Sequence, residues 1–254
     1  MIQGNFGWSF EFDRPVSEIV GDALWLTVLV NLAAVLFVYL VALPLGVIAA
    51  AKSETWMDYT AAFAGYIGLA TPNFLLALML FYYGNKYFDL PIGGLMDPQF
   101  EGEPMSFEKV KSVLIHLIVP TFVIGTSGAA AMMQRLRANM LDELSKPYVE
   151  TAKAKGLSPA KLLAKYPLRM AFNPFVADIG NLLPAMVSGS VLVSVVLGLQ
   201  TIGPSLLTAL KSQDQFLAGF ILMFVALLTL IGTMISDLLL VLLDPRIRYG
   251  ARGS

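Results

Sequence analysis

Five long stretches of this 254-residue sequence contain no Asp, Glu, Lys or Arg. Each exceeds the roughly 18–20 residues with which a helix crosses a bilayer. They cover residues 23–51, 59–85, 112–134, 179–210 and 215–236. A charged side chain at the centre of a span costs about 2.5–3.5 kcal/mol, so uncharged runs of this length are typical of membrane helices. With 57% hydrophobic and 14% charged residues, the sequence predicts an all-α membrane protein, a polytopic helical bundle of about five spans.

We expect one transmembrane domain over residues 23–243, between an N-terminal segment (1–22) and a C-terminal tail (244–254). Its spans are predicted at about residues 23–51, 59–85, 112–134, 172–199 and 215–243. Prolines within these spans predict kinks, because proline lacks the N–H that a helix interior needs; they are Pro44, Pro72, Pro120 and Pro184. The small residues of segment 125–131 predict close packing against another helix, either of this chain or of a partner.

The basic residues predict the orientation in the membrane. The loops on one side of the predicted spans carry 12 Lys and Arg, and those on the other side carry 5. Positive residues are enriched on the cytoplasmic side, so we expect the loop 135–170 and the C-terminus inside and the N-terminus outside. No basic segment followed by an apolar stretch precedes residue 23, as a cleavable signal would require.

The loop 135–170 is predicted to contain two short helices. Pro147 suits a first helical turn, where its missing N–H is not needed. Gly156 suits the helix end, because glycine adopts the left-handed conformation without strain. Ser158 and Pro159 repeat the starting signal for a second helix. The first helix presents a compact surface that is small enough to enter a groove on another protein, formed by Tyr148, Val149 and Ala152 with Glu150 between them.

These residues resemble the cytoplasmic loop of the membrane-spanning permease subunits of ATP-binding-cassette importers. Glu150-Thr151-Ala152 followed by Gly156 is similar to the Glu-Ala-Ala…Gly sequence of that family. Residues 148–173 resemble most closely the dipeptide, oligopeptide and nickel branch. Gly-Asn-Phe-Gly-Trp-Ser at residues 4–9 and Leu-Asp-Pro-Arg-Ile-Arg at residues 243–248 agree with the same branch, in the same order.

The resemblance implies a permease subunit that forms the translocation pathway of an ATP-driven importer in the bacterial inner membrane, for peptides, nickel or a related small solute. It implies four partners besides lipid: a second homologous permease, two cytoplasmic ATP-binding subunits and an external substrate-binding protein, with no nucleic acid. ATP binds to the partner subunits, and this chain needs no cofactor. The helix 147–157 is the implied ATPase-coupling element, through Tyr148, Val149, Glu150, Thr151, Ala152 and Gly156.

The chain departs from the family pattern in two places. The family usually has six spans, with one more span ahead of the segment at residues 4–9. A shortened start, a fragment, or a separate subunit that supplies this helix would each explain the difference. The family also tends to have a Glu and a Pro-Gly-Leu-Gly run after the fourth span, where this chain has Val196 and Ile-Gly-Pro-Ser at residues 202–205.

The sequence contains no phosphate-binding loop, nucleophile elbow or zinc-protease motif, so we expect neither catalytic residues nor a metal site. The alternative function is an ion-coupled secondary transporter that works without an ATPase. Such carriers bury acidic or histidine side chains in mid-membrane, and the five uncharged runs contain no Asp or Glu. Asp178, near the inner end of the fourth span, is a candidate pathway residue. Pairing with Arg169 and exposure at the interface are its competing interpretations.

Overall fold

The computed structural model describes residues 6–88, 90–100, 103–176 and 190–243. A short antiparallel hairpin opens it, in which Trp8–Ser9 (β1) pairs with Arg14–Pro15 (β2). The helices follow as Val16–Ala51 (α1), Trp56–Ala70 (α2), Asn73–Met79 (α3), Asn85–Phe88 (α4), Phe107–His116 (α5), Ile118–Leu144 (α6), Pro147–Ala154 (α7), Pro159–Lys165 (α8), residues 167–176 (α9), Val191–Val196 (α10), Ile202–Lys211 (α11) and Gln215–Leu243 (α12). A π-helical turn, Leu80–Gly84, joins α3 to α4.

The predicted class, a helical membrane protein, is confirmed. Three helical segments in the described residues are long and apolar enough to cross a bilayer: Val16–Ala51, Phe107–Leu144 and Gln215–Val241. A fourth span arises if α2 and the helical stretch Asn73–Phe88 form one broken crossing. The middle of the predicted span 172–199 lies outside the described residues, which omit 177–189.

The prolines interrupt the helices to different extents. The span predicted over 59–85 is not one continuous helix, because α2 ends at Ala70 and α3 begins at Asn73. Pro72 accounts for this break, since its ring disfavours the helical conformation of the preceding residue. Pro120 is the third residue of α6, so its missing N–H falls in the first turn of that helix. By contrast, α1 continues through Pro44, and Pro184 lies outside the described residues.

The chain divides into two compact units, of which the first draws on Met1–Phe37, Thr71–Gly125 and Leu183–Thr229. Its hydrophobic core joins the first half of α1 to α10 and the start of α6. The buried side chains include Val30, Ala34, Ala77, Leu117, Val123, Val193 and Leu197. A polar contact crosses this apolar interior, because the Ile202 N–H donates to Thr27 Oγ1 over 2.8 Å.

The second unit draws on Val38–Ala70, Thr126–Leu182 and Leu230–Ser254. Here glycines allow α2 to approach α6 closely. A Cβ at Gly65 would lie 2.6 Å from Met133 Cε, and one at Gly68 would lie 3.1 Å from Ala130 Cβ. A Cβ at Gly128 would likewise meet Val38 at 3.0 Å. Part of the small-residue segment 125–131 therefore packs against helices of this same chain, as small residues in membrane proteins do.

In the first unit, the N-terminal hairpin is attached to the start of α12 through Asp214. This residue is 1% exposed, and its Oδ1 caps α12 by accepting the Leu217 N–H at 3.1 Å. Its Oδ2 accepts the hydroxyl of Ser9 at 2.5 Å and the Glu11 N–H at 3.4 Å. Burial raises the pKa of Asp214, but these hydrogen bonds lower it by more, so its pKa lies below the ordinary carboxyl value.

Replacing Asp214 with Ala removes the helix cap and leaves the Ser9 hydroxyl without its acceptor. We expect a loss of about 1–3 kcal/mol in the free energy of unfolding, measured by thermal unfolding in detergent, and faster proteolysis within residues 8–15. Replacing Gln215, an exposed neighbour, with Ala is the matched control and should leave both measurements unchanged.

The same stabilisation should depend on pH in one direction. Because the folded pKa of Asp214 is lowered, the contribution is complete above the ordinary carboxyl pKa and is lost as the pH falls through the folded value. The wild type and the Asp214→Ala variant should therefore converge in stability as the pH falls below the ordinary carboxyl pKa and through the folded value. A difference that stays undiminished as the pH falls would contradict the role assigned to the carboxylate.

Candidate functional site

The helix predicted over residues 147–157 is present as α7, Pro147–Ala154, and two residues separate it from the end of α6. Pro147 occupies its first position and Lys146 is the N-cap residue, with extended backbone angles of φ −80° and ψ 146°. Ser145 does not cap this helix, because its hydroxyl donates to Asp142 O at 2.8 Å. The predicted start at Pro147 is confirmed, and it rests on the fixed φ of proline.

Gly156 ends this helix in the left-handed conformation, with φ +76°. The Leu157 N–H donates to Ala152 O at 3.4 Å, and the Gly156 N–H donates to Lys153 O at 2.9 Å. This pair of bonds is the Schellman motif, which satisfies carbonyls that the helix end leaves free. No atom lies within 4 Å of a Cβ built at Gly156. Glycine is therefore favoured here for its backbone conformation and not for lack of space.

The apolar side of α7 packs inside this chain. Val149 is 0% exposed and Ala152 is 4% exposed, and both belong to one buried cluster with Leu162 of α8. Partly buried side chains complete the cluster: Leu144, Tyr148, Leu157 and Tyr166. Val149 and Ala152 are thus not on the surface predicted to enter a partner's groove. An eight-residue helix cannot remain fixed without a support, and its apolar face provides that support.

The opposite face of α7 is open to solvent. The exposed residues of the helix are Pro147, Glu150, Thr151, Lys153 and Ala154, and Lys155 and Gly156 just after it are exposed as well. The Thr151 hydroxyl donates to Pro147 O at 3.0 Å, within the helix itself. Of the six predicted coupling residues, Glu150, Thr151 and Gly156 therefore offer accessible surface.

Tyr148 joins α7 to the end of α6. Its hydroxyl donates a hydrogen bond to Glu143, whose other carboxylate oxygen accepts from Lys146 Nζ at 2.5 Å. Burial and then the bond to Glu143 raise the pKa of Tyr148 to about 12. The phenol therefore remains a protonated donor at physiological pH.

An ion pair earlier on α6, between the partly buried Arg137 and the buried Asp58, was not predicted from the sequence. Arg137 donates from Nε to Asp58 Oδ1 at 2.5 Å and from Nη2 to Oδ2 at 2.7 Å. Asp58, 1% exposed, also accepts the Glu54 N–H at 3.0 Å. The bidentate geometry fixes the first turn of α2 against α6. Both residues lie close to uncharged runs, at the ends predicted to be cytoplasmic. This shared position was the signal in the sequence that could have indicated the pair.

The remaining site predictions have different outcomes. Asp178 lies outside the described residues, so its interpretation stays a prediction. In the part of the chain that the structure describes, no group of three or more His, Asp or Glu side chains is arranged to hold a metal ion.

Comparisons with known proteins identify similar chains. The family model for the binding-protein-dependent transport system inner membrane component matches residues 42–249. The oligopeptide transport system permease protein AppB of Bacillus subtilis is 32% identical over 98% of this chain and 78% of its own length. The dipeptide transport system permease protein DppB of Haemophilus influenzae is 30% identical, with the same two coverages, 98% and 78%.

A likeness in fold extends further than the likeness in sequence. A solved structure of the MetNI methionine ABC transporter in an inward-facing conformation matches with a TM-score of 0.67 at 14% identity. The match covers 89% of this chain and 96% of that chain. It shows a shared architecture.

The Asp58–Arg137 pair should be energetically coupled. Removing one partner leaves a desolvated charge behind, so Asp58→Ala and Arg137→Ala should each destabilise, and the double variant should lose less than the sum of the two. We expect a coupling energy of about 2 kcal/mol from a double-mutant cycle measured by unfolding in detergent.

Lys161 supplies the control for this cycle, because it is an exposed cation in the same unit. Combining Asp58→Ala with Lys161→Ala should give additive losses. Additivity in the Asp58–Arg137 cycle as well would show that the ion pair does not hold α2 to α6.

Proposed function

Because the chain belongs to the family of binding-protein-dependent transport system inner membrane components, we propose that it forms the translocation pathway of an ATP-driven peptide importer. Its relatives are named as oligopeptide and dipeptide permeases, which supports peptides over nickel or another small solute. The proposal includes a second homologous permease, two cytoplasmic ATP-binding subunits and an external substrate-binding protein. ATP binds to the partner subunits.

The orientation belongs to the same proposal. With the basic loop 135–170 in the cytoplasm, α7 faces the compartment in which ATP is available, and the N-terminal hairpin faces outward. The tail 244–254 is then cytoplasmic.

The observation that carries the coupling role is the contrast between the two faces of α7. Val149 and Ala152 anchor the helix in its own chain, while Glu150 and Thr151 remain exposed. A helix that transmits motion needs both properties, because a partner must bind one face while contacts within the chain hold the other. The four-residue turn 155–158, which contains Gly156, then leads directly into α8.

Contacts within the second unit connect α7 to α6, and α6 to α2. Tyr148 and Lys146 connect α7 to Glu143 at the end of α6. Arg137, nearly two turns earlier on α6, is bonded to Asp58 at the start of α2. A displacement of α7 by an ATPase would therefore act on α6 and α2 together. An ion-coupled carrier has no need of an exposed helix supported in this way.

Reversing the charge of Glu150 tests the docking face. Glu150→Lys changes an exposed side chain, so we expect the unfolding temperature to stay constant while co-purification with the ATP-binding subunits and peptide uptake fall at least about tenfold, as for the loss of a charge-assisted contact. Lys161→Glu on α8 is the matched charge reversal. Equal loss in both variants, or in neither, would contradict a specific role for α7.

Substitutions at Gly156 test the turn. Gly156→Val forces a β-branched residue to positive φ, at a cost of about 1–3 kcal/mol, whereas Gly156→Asn tolerates that conformation better. We expect Val to abolish uptake and weaken ATPase binding while the chain still inserts into the membrane, and Asn to retain most of both. Full uptake by the Val variant would remove the requirement for this turn.

A further inference from the structure

A pocket of about 440 Å³ lies in the first unit, beside the N-terminal hairpin. Its wall is formed by β2, the first turns of α1 and the start of α11. The polar residues that line it are Arg14, Gln200, Thr201, Ser205 and Thr208. It does not coincide with α7 or with any residue to which a function has been assigned above.

Arg14 is the only charged side chain among the residues that line this pocket. It is exposed, and among the described residues neither a carboxylate nor a carbonyl oxygen accepts a bond from its guanidinium. A guanidinium presents its donors as a planar fork that matches a carboxylate with two parallel hydrogen bonds. The pocket therefore contains a cation that no carboxylate of the described residues pairs with.

The neutral polar side chains in the pocket differ in whether they are already hydrogen-bonded within the chain. The Thr201 hydroxyl is buried and already donates to Ser194 Oγ at 3.0 Å. Ser205 makes only a long contact of 3.4 Å with Thr201 O. For Thr208 and Gln200, no side-chain hydrogen bond exists within the described part of the chain. Two further donors are thus available beside the guanidinium.

The charges near Arg14 in the sequence restrict the ligand further. Three exposed acidic residues, Glu11, Asp13 and Glu18, lie within four positions of Arg14 along the chain. Their negative charge disfavours a simple anion and is compatible with a zwitterion, in which a positive group accompanies the carboxylate.

We propose that this pocket binds the C-terminal carboxylate of a short peptide, with Arg14 as the charged partner and Thr208 and Gln200 as neutral donors. This inference rests on the proposed peptide importer and on the outward orientation of the hairpin. The pocket is then a subsite that an incoming peptide meets on the outer side, before the spans. It gives the permease itself a preference for free C-termini.

Trialanine and trialanine amide are the probes, because they differ only in the carboxylate. The chain is purified with its ATP-binding and permease companions in lipid nanodiscs, without the external binding protein, and binding is followed by titration calorimetry. We expect trialanine to bind the wild type at least about tenfold more tightly than trialanine amide does, as expected for a charge-assisted pair. Arg14→Ala should remove this difference, and Arg14→Lys should retain part of it.

Lys211→Ala is the control, because Lys211 is an exposed cation at the end of α11 and does not line the pocket. It should bind trialanine as the wild type does. Equal binding of the two probes by the wild type, undetectable binding of trialanine, or an unchanged preference in Arg14→Ala would each overturn the inference. Co-purification of the ATP-binding subunits with Arg14→Ala confirms that the variant is folded. Failure of the proposed function would instead appear as loss of those subunits from the wild type.

Discussion

A lipid environment offers neither hydrogen bonds to the backbone nor a hydrophobic drive that brings one helix to another, and this constraint governs the structure. The backbone responds by forming helices almost throughout the described residues. Helix association must then come from close approach and from a few polar contacts. Gly65 and Gly68 provide the close approach of α2 to α6, and Asp58 with Arg137 provides the polar contact. Replacing either kind of contact by ordinary apolar side chains would leave nothing to distinguish a helix neighbour from lipid.

The two aspartates that are buried in the described part of the chain lie where a helix begins and where an uncharged run has one of its ends. Asp214 caps α12 and accepts hydrogen bonds from the N-terminal hairpin. Asp58 lies in the first turn of α2 and accepts hydrogen bonds from Arg137. The positive end of the helix dipole favours a carboxylate at such a position. A charge at mid-span would have to be stabilised against the full cost of dehydration. Positions at the ends of spans therefore combine a strong polar contact with a moderate cost.

Local sequence chemistry predicted the parts of the structure that depend on neighbouring residues. Uncharged length predicted the apolar helices, Pro147 the start of α7, and Gly156 its end. The contacts that were missed are distant in sequence: Asp58 and Arg137 are 79 residues apart, and Ser9 and Asp214 are 205 apart. No period or motif encodes such a pairing in a single sequence. The break at Pro72 was predicted only as a kink, because a proline's effect depends on whether neighbouring helices can accept the freed carbonyls.

The burial of Val149 and Ala152 was missed for a similar reason, because the sequence of a short helix does not show which surface covers its apolar side. An apolar stripe on a helix of eight residues indicates that something covers it, but the stripe itself does not say whether the cover is a partner or the same chain. The apolar stripe of α7 is covered by the same chain, through Leu162 of the following helix, α8. A short helix that used its apolar face for a partner would have to fold and bind at the same time, and binding would be weakened by the cost of ordering it. A helix that is already ordered by its own chain can present a polar face such as Glu150 and Thr151 at no such cost, and can transmit force in both directions.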